Sequence, residues 1–212
     1  MQNKKLKKII DLLMLLSLFF LMGYFYFDKS SHMLIGILCF VLFIIHQILN
    51  MSWYKTLLKG KYTYPRIIIF IINVLLLLCM LLQMISGFMM SSYISGIHQG
   101  MALFRRIYLA LCYWCFILVV CHIGIHVRGI LRKQHFKIFY LVISLYGLYV
   151  LIKRNILAYM FFRVEYYFFD TTSIFIFYLD HLAMMILFVG LTDILLKGVR
   201  KYESTRLIRK SS

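Results

Sequence analysis

The chain has 212 residues, of which 63% are hydrophobic, and a formal net charge of +17. Its apolar runs, such as IIIFIINVLLLLCMLLQMI, are long enough to cross a bilayer core of about 30 Å. In lipid such runs must form helices or a closed barrel, and barrel strands would alternate apolar and polar residues. The composition therefore excludes a soluble globular domain. It predicts an all-α, polytopic transmembrane helical bundle, with a single transmembrane domain over 1–212.

Hydrophobic segments predict about six membrane spans, at 9–27, 31–50, 67–88, 104–127, 138–152 and 174–196. The first span follows the basic MQNKKLKK, as the apolar region of a signal peptide would. Its apolar run is longer than that of a signal peptide and no small-residue cleavage site follows, so we expect a retained span. The aromatic stretch 158–169 (AYMFFRVEYYFF) is expected to form a belt at the level of the lipid headgroups.

The basic residues are divided unequally between the two sides of these spans. Eighteen of the 24 Lys and Arg residues lie in the two termini and in the second and fourth connections, and six lie in the other three connections or, as Arg105 and Arg106 do, at the adjoining end of a span. Cytoplasmic segments carry an excess of Lys and Arg, so both termini are expected to be cytoplasmic, which an even number of spans requires. The charge thus reflects topology, and no nucleic-acid partner is expected.

Two histidines of the second span share one helix face. His32 and His46 are 14 residues apart, which is about 40° short of four turns and about 21 Å along the helix axis. This separation is typical of ligands for two stacked haems. Intramembrane histidines are functional candidates by default. For any one of them, the alternative is a neutral imidazole that is hydrogen-bonded to a carbonyl.

The fourth span carries His122 and His126, one turn apart on the same face. Because this span runs inward, His122 reaches the depth of His46, and the two are predicted to bind the iron of an inner haem b from opposite sides. His126 is a competing ligand or a contact to a propionate. Fourteen residues before His122 the chain has Tyr108, so the histidine expected for an outer haem is missing there.

The sixth span contains His181 next to Asp180. His181 is an alternative outer ligand, the two together could carry protons, and a local interhelical hydrogen bond is the third interpretation. His98 and His135 fall in connections, where we expect solvated side chains. The chain has no CxxCH motif, which excludes covalently attached c-type haem.

Cys112 and Cys115 form a CYWC motif in the middle of the fourth span. In a soluble redox fold this motif would indicate a reactive pair. Within a span and between aromatic residues, we expect the cysteines to act as small apolar packing residues instead.

Four segments resemble the bacterial flavinylation-associated membrane cytochromes, which are small multi-span haem b proteins grouped as a domain of unknown function. They are HMLIGILCFVLFIIHQILNMSWYKTLLKGKYTYPR, IINVLLLLCMLLQMISGFMMS, RRIYLALCYWCFILVVCHIGIH and FFDTTSIFIFYLDHLAMMILFVG, and the resemblance covers about 31–190. It implies a multi-pass electron carrier of the bacterial cell membrane that works with a flavoprotein or quinone redox partner and transfers electrons toward the cell exterior.

The same resemblance implies which residues bind the cofactor. His32, His46, His122 and His126 match the family's histidine positions. Tyr108 departs from the family, which usually has histidine there, and His181 stands where tyrosine is expected. One haem b is therefore expected at the inner site. For the outer site the alternatives are Tyr108 as a ligand, His32 paired with His181 or with His98, or no outer haem, and the site is expected to be altered or lost.

Two other functions compete with electron transfer. The first is a haem-free membrane scaffold or assembly subunit derived from such a cytochrome, which Tyr108 favours. The second is a proton or metal transporter that uses Asp180, His181 and Asp193. The transporter leaves the spacing of His32 and His46 unexplained.

Overall fold

The structure, a computed structural model, describes residues 2–57, 59–91, 101–127, 137–166 and 171–211. All regular elements in these ranges are helical, because a chain in lipid must satisfy its backbone hydrogen bonds within each segment. They are α1 (Gln2–Met22), a 3₁₀ turn (Tyr24–Tyr26), α2 (Lys29–Leu49), α3 (Met51–Thr56), α4 (Tyr64–Met89), α5 (Met101–His126), α6 (Lys137–Lys153), α7 (Ile156–Met160) and α8 (Ile174–Ser211).

Four of the described helices are long and apolar enough to cross a membrane: α2, α4, α5 and the Ile174–Arg206 part of α8. The helix α6 is apolar but shorter, with 17 residues. The predicted class, an all-helical membrane protein, is confirmed at this level. Apolar side chains cover much of the outside of these helices, as lipid contact requires.

The first helix differs from the span predicted at 9–27. It begins at Gln2 and ends at Met22, and the Gly23 amide donates to the Phe20 carbonyl at 3.0 Å, which starts the tighter 3₁₀ turn. The predicted continuation through Phe27 is therefore wrong. Four lysines and Asp11 occupy the first half of α1, so it is not one of the four apolar candidates.

Two other helices are longer than the predicted spans. The helix α4 begins at Tyr64 instead of residue 67, with Pro65 in its first turn, where the missing amide hydrogen costs nothing. The helix α8 continues to Ser211, well beyond residue 196. An ion pair between Asp193 and Lys197, one turn apart, supports the helix where the apolar span gives way to the basic tail.

The stretch predicted as an interfacial belt is only partly exposed. The short helix α7 buries Tyr159 and Met160, and Trp114 of α5 donates from its Nε1 atom to the Met160 carbonyl at 3.1 Å. Phe161 and Tyr166 are exposed, as a belt would require. The start of the stretch is thus packed on α5, and residues 167–169 lie outside the described part of the chain.

The chain divides into two compact units, Met1–Lys61 with Phe169–Ile174, and Tyr62–Phe168 with Phe175–Ser212. In the first unit α1 and α2 form an antiparallel hairpin, because residues farther along α1 contact residues earlier in α2. The contacts are Lys7 with Asn50, Asp11 with His46, Leu21 with the Cβ position of Gly36, and, just after α1, Tyr24 with His32. The face of α2 that carries both histidines is therefore turned toward α1.

The second unit repeats this arrangement with α4 and α5. These helices are also antiparallel, and their contacts are Asn73 with His122, Cys79 with Cys115, Gln83 with Cys112, and the Cβ position of Gly87 with Tyr108. The histidine face of α5 is thus turned toward α4.

Two further helices complete the second unit. The helices α6 and α8 are antiparallel, since Tyr140 donates to the Ile186 carbonyl whereas Tyr146, farther along α6, donates to Asp180, earlier in α8. They are also very close, because a Cβ atom on Gly147 would lie 2.5 Å from the Ala183 carbonyl oxygen. The helices α5 and α8 run in the same direction, with Phe116 against His181 and Gly124 against Thr192. Within this unit α4, α5, α6 and α8 therefore alternate in direction.

Candidate functional site

His46 is held by the neighbouring helix of its hairpin. Its Nδ1 atom lies 2.7 Å from Oδ1 of Asp11, and its side chain is 22% exposed. A carboxylate can only accept a hydrogen bond, so Nδ1 carries the proton. In the neutral ring Nε2 then carries the lone pair and is the atom that can coordinate iron. The Nδ2 atom of Asn50 approaches this Nε2 atom at 3.4 Å, which is a long contact.

His122 is held in the same way in the other hairpin. Its Nδ1 atom lies 2.8 Å from Oδ1 of Asn73 on α4, which fixes the same tautomer. The ring of His126 lies 4.7 Å from the ring of His122, which confirms that the two share a face of α5. His126 is the more exposed of the two.

His181 is fully buried in α8. Its Nδ1 atom donates to the Phe177 carbonyl at 2.9 Å, one turn earlier in the same helix. The rings of Phe177 and Phe116 flank the imidazole, with centroids at 4.2 and 5.6 Å. The sequence left a ligand, a proton carrier and an interhelical hydrogen bond open here, and this bond is within one helix.

Asp180 is bonded to Tyr146 of α6 and to Arg154, which directly follows that helix, instead of to its neighbour His181. Arg154 donates from Nε and Nη2 to Oδ2 at 2.9 and 2.7 Å, and Tyr146 donates to Oδ1 at 2.6 Å. Asp180 is 1% exposed, so this is a buried charge pair with both carboxylate oxygens engaged. Arg154 follows the predicted fifth span, 138–152, and from the sequence it was only one of the basic residues counted in the connections. Its partner depends on how α6 and α8 align.

The remaining candidates for an outer site are divided between the units. His32, in the first unit, packs edge-on against Tyr24 with centroids 5.0 Å apart. Tyr108, in the second unit, has its ring edge 3.1 Å from the Cβ position of Gly87. Neither contact by itself prepares an iron ligand.

The central pairing of the sequence analysis spans the two units. His46 belongs to the first unit and His122 to the second, so their pairing stays a prediction. His98 and His135 lie outside the described residues. Within the described ranges, no three His, Cys, Asp or Glu side chains gather as a metal site would need, whereas axial haem ligation needs two histidines.

Comparison with known proteins identifies no relative. No protein-family model, curated protein or solved structure matches the chain. The resemblance to flavinylation-associated cytochromes therefore remains an expectation that depends on the residues quoted above.

The two residues that hold the histidines were not predicted from the sequence. Asp11 interrupts the apolar run of α1 that begins at Ile9, and Asn73 interrupts the run FIINVLLLL in α4. Polar residues inside apolar spans are rare and usually face a partner within the bundle, so both carried a usable signal. Their particular partners depend on hairpin register, which hydropathy does not specify.

Proposed function

We propose that this chain is a membrane-integral b-type cytochrome that carries electrons across or within the membrane. His46 and His122 would hold the iron of one haem b, and its redox partner would be a flavoprotein or a quinone. The observation that carries the proposal is the shared geometry of these two histidines. Each donates from Nδ1 to a side-chain oxygen on the antiparallel neighbouring helix. When bound, the haem supplies a one-electron couple.

This geometry fits a ligand role. Metal-binding histidines almost always donate their other ring nitrogen to a carboxylate, a carbonyl or water, which sets the tautomer and the ring orientation. Asp11 and Asn73 supply such acceptors, and both reach across from another helix. A carbonyl four residues earlier in the same helix can satisfy a buried imidazole, as that of Phe177 does for His181, so packing alone does not require the bonds to a second helix.

The proposal includes one haem. For an outer haem, His181 is the candidate with an anchored Nδ1 atom, although Phe116 and Phe177 flank it closely. His32 packs on Tyr24 and Tyr108 on Gly87, so the outer site is proposed to be lost. His126 is proposed as a neighbour of the ligand His122 and not as a ligand itself, because it is exposed at the end of α5.

The proposal also includes six spans with both termini on the cytoplasmic side of a bacterial cell membrane. In support, α1 and α2 are antiparallel within one unit, and α4, α5, α6 and α8 alternate within the other. With α1 and α6 counted as crossings, each unit would contribute an even number, which agrees with the charge distribution. A reporter that works only in the cytoplasm should be active when it is fused after residue 56 or 206. A reporter that works only outside the membrane should be active when it is fused at residue 28.

The decisive experiment is haem content with histidine variants. The purified protein should hold one haem per chain and show a reduced-minus-oxidised haem b spectrum, which His46→Ala and His122→Ala should each abolish. His126→Ala and His181→Ala are the matched controls and should keep it. An unchanged spectrum in both ligand variants would rule out this pair.

A haem-free scaffold or assembly subunit is the second candidate. The same hydrogen bonds favour it, because Asp11 and Asn73 also satisfy neutral imidazoles without any metal. This function would be supported over the cytochrome if the purified protein held no haem and the His122→Ala variant lost stability without any other change.

A further inference from the structure

The interface of α4 and α5 carries a line of polar and small residues, and the proposed haem role uses only one pair of them, Asn73 and His122. We call it the α4–α5 seam. Its members, in facing order, are Asn73, Cys79, Gln83 and Gly87 on α4, and His122, Cys115, Cys112 and Tyr108 on α5. From one facing pair to the next, α4 advances by nearly the same number of residues as α5 goes back, so the two helices stay in register along the whole seam.

Two cysteines meet in the middle of this seam. The Sγ atoms of Cys79 and Cys115 lie 3.1 Å apart, and the two residues are 6% and 2% exposed. Both are thiols in this structure. A disulfide bond is about 2.05 Å long, so a movement of about 1 Å would bring the sulfurs to bonding distance.

The other three cysteines have different surroundings. The sulfur of Cys112 accepts a hydrogen bond from Nε2 of Gln83 at 3.0 Å. Cys121 lies beside Thr192 of α8, and Cys39 belongs to the first unit. The CYWC pair itself is therefore split, because Cys112 faces an amide while Cys115 faces the thiol of another helix.

We propose that Cys79 and Cys115 form a disulfide that joins α4 to α5, with hydrogen peroxide as the oxidant. Peroxide oxidises one thiol to a sulfenic acid and releases one water molecule. The second thiol then attacks that sulfur, the S–S bond forms, and a second water molecule leaves. The two sulfurs lose two electrons in total and the peroxide O–O bond breaks.

The chemistry of the oxidant follows from the surroundings of the thiols. Both are buried between apolar helices, where a charged or bulky oxidant would have to be desolvated. Hydrogen peroxide is small and uncharged. The link would hold α4 and α5 in the register that joins Asn73 to His122, which lies two turns from Cys115. The proposal concerns thiols alone and stands whether or not the chain binds haem.

The test uses the full chain in membranes, treated with hydrogen peroxide and then denatured and labelled with a large maleimide reagent. The untreated protein has five cysteines to label, and the oxidised protein should lose two of them. Mass spectrometry should recover a peptide pair linked through Cys79 and Cys115, and a dithiol reductant should restore full labelling.

Three variants sharpen the result. Cys79→Ser and Cys115→Ser should each abolish the linked peptide, whereas Cys112→Ser, one turn away on the same face of α5, should keep it. The wild-type mass spectrum decides the matter even if a variant folds poorly. Oxidised wild-type protein without this linked peptide, or with sulfinic acid at these positions instead, would overturn the proposal.

Discussion

The hairpins α1–α2 and α4–α5 hold their histidines by one geometry but in different electrostatic surroundings. His46 donates to Asp11, a carboxylate that is 51% exposed, and His122 donates to Asn73, a neutral amide. Ring orientation is thus fixed equally in both, while only the first hairpin adds a negative charge. The orientation of a candidate ligand and the charge of its hydrogen-bond acceptor are separate properties. In this chain the orientation is the same in both hairpins and the charge of the acceptor differs.

The two hairpins also differ in how tightly they pack. A Cβ atom on Gly36 of α2 would meet only Leu21, at 4.0 Å, whereas one on Gly87 of α4 would lie 3.1 Å from the Tyr108 ring. The first contact is ordinary and the second is tighter than side chains usually tolerate. The hairpin α4–α5 should therefore be the more sensitive of the two to added volume.

Removing the acceptors should give the largest effect. Asn73→Leu and Asp11→Leu take away the hydrogen bond that orients each ligand, and such losses typically weaken metal binding by about 10–100-fold. We expect Asn73→Leu to be the more severe, since Asp11 is half exposed and water can replace it. Haem titration of the apo-protein measures both. Gln83→Leu, on the same seam but away from His122, is the control, and an Asn73→Leu affinity equal to it would contradict the ligand assignment.

Added bulk should separate the hairpins next. Gly87→Leu forces Tyr108 to move and should lower the free energy of unfolding by about 1–3 kcal/mol, the usual cost of overpacking. Gly36→Leu should stay within about 0.5 kcal/mol of wild type, because its surroundings are open. Thermal unfolding of the purified variants compares the two. Equal losses would show that the hairpins pack alike.

The helices were predictable from sequence because lipid imposes one requirement on every span, a continuous apolar helix. The partners of individual polar residues were not predictable from the sequence. Arg154 was counted only among the basic residues of the connection after the fifth predicted span, yet it binds Asp180 inside the second unit. Its partner depends on the depth at which α6 and α8 cross, and the close approach at Gly147 sets that depth. Spacing along one helix predicted shared faces correctly for His122 and His126, but it cannot say which helix a face meets.

Neutralising the acceptor in the first hairpin tests the electrostatic half of the comparison. A hydrogen bond to a charged acceptor is stronger than one to a neutral acceptor by about 1 kcal/mol. Asp11→Asn should therefore favour the ferrous state and raise the haem midpoint potential, by roughly 40 mV for a one-electron couple. Redox titration measures the shift. Asp193→Asn, which removes an acidic group paired with Lys197, should leave the potential unchanged, and a fall in the Asp11 variant would refute the argument.

The smallest expected effect concerns how α2 and α4 begin. Asp28 caps α2 by accepting from the Ser31 hydroxyl at 2.5 Å and from its amide at 3.0 Å, whereas Thr63 makes no side-chain cap at α4. The Ser31 hydroxyl bond, followed by the amide bond, holds the pKa of Asp28 below its ordinary value of 3.8.

A lowered carboxyl pKa means that the cap stabilises α2 fully above the ordinary pKa and loses this effect as the pH falls through the folded value. Asp28→Ala should thus lower the unfolding temperature slightly at pH 7, and the difference from wild type should shrink as the pH falls below 3.8. Thr63→Ala is the matched control and should leave the unfolding temperature unchanged both at pH 7 and in acid, because it removes no cap bond. A difference for Asp28→Ala that persists undiminished in acid would show that the side chain acts through packing and not through its charge.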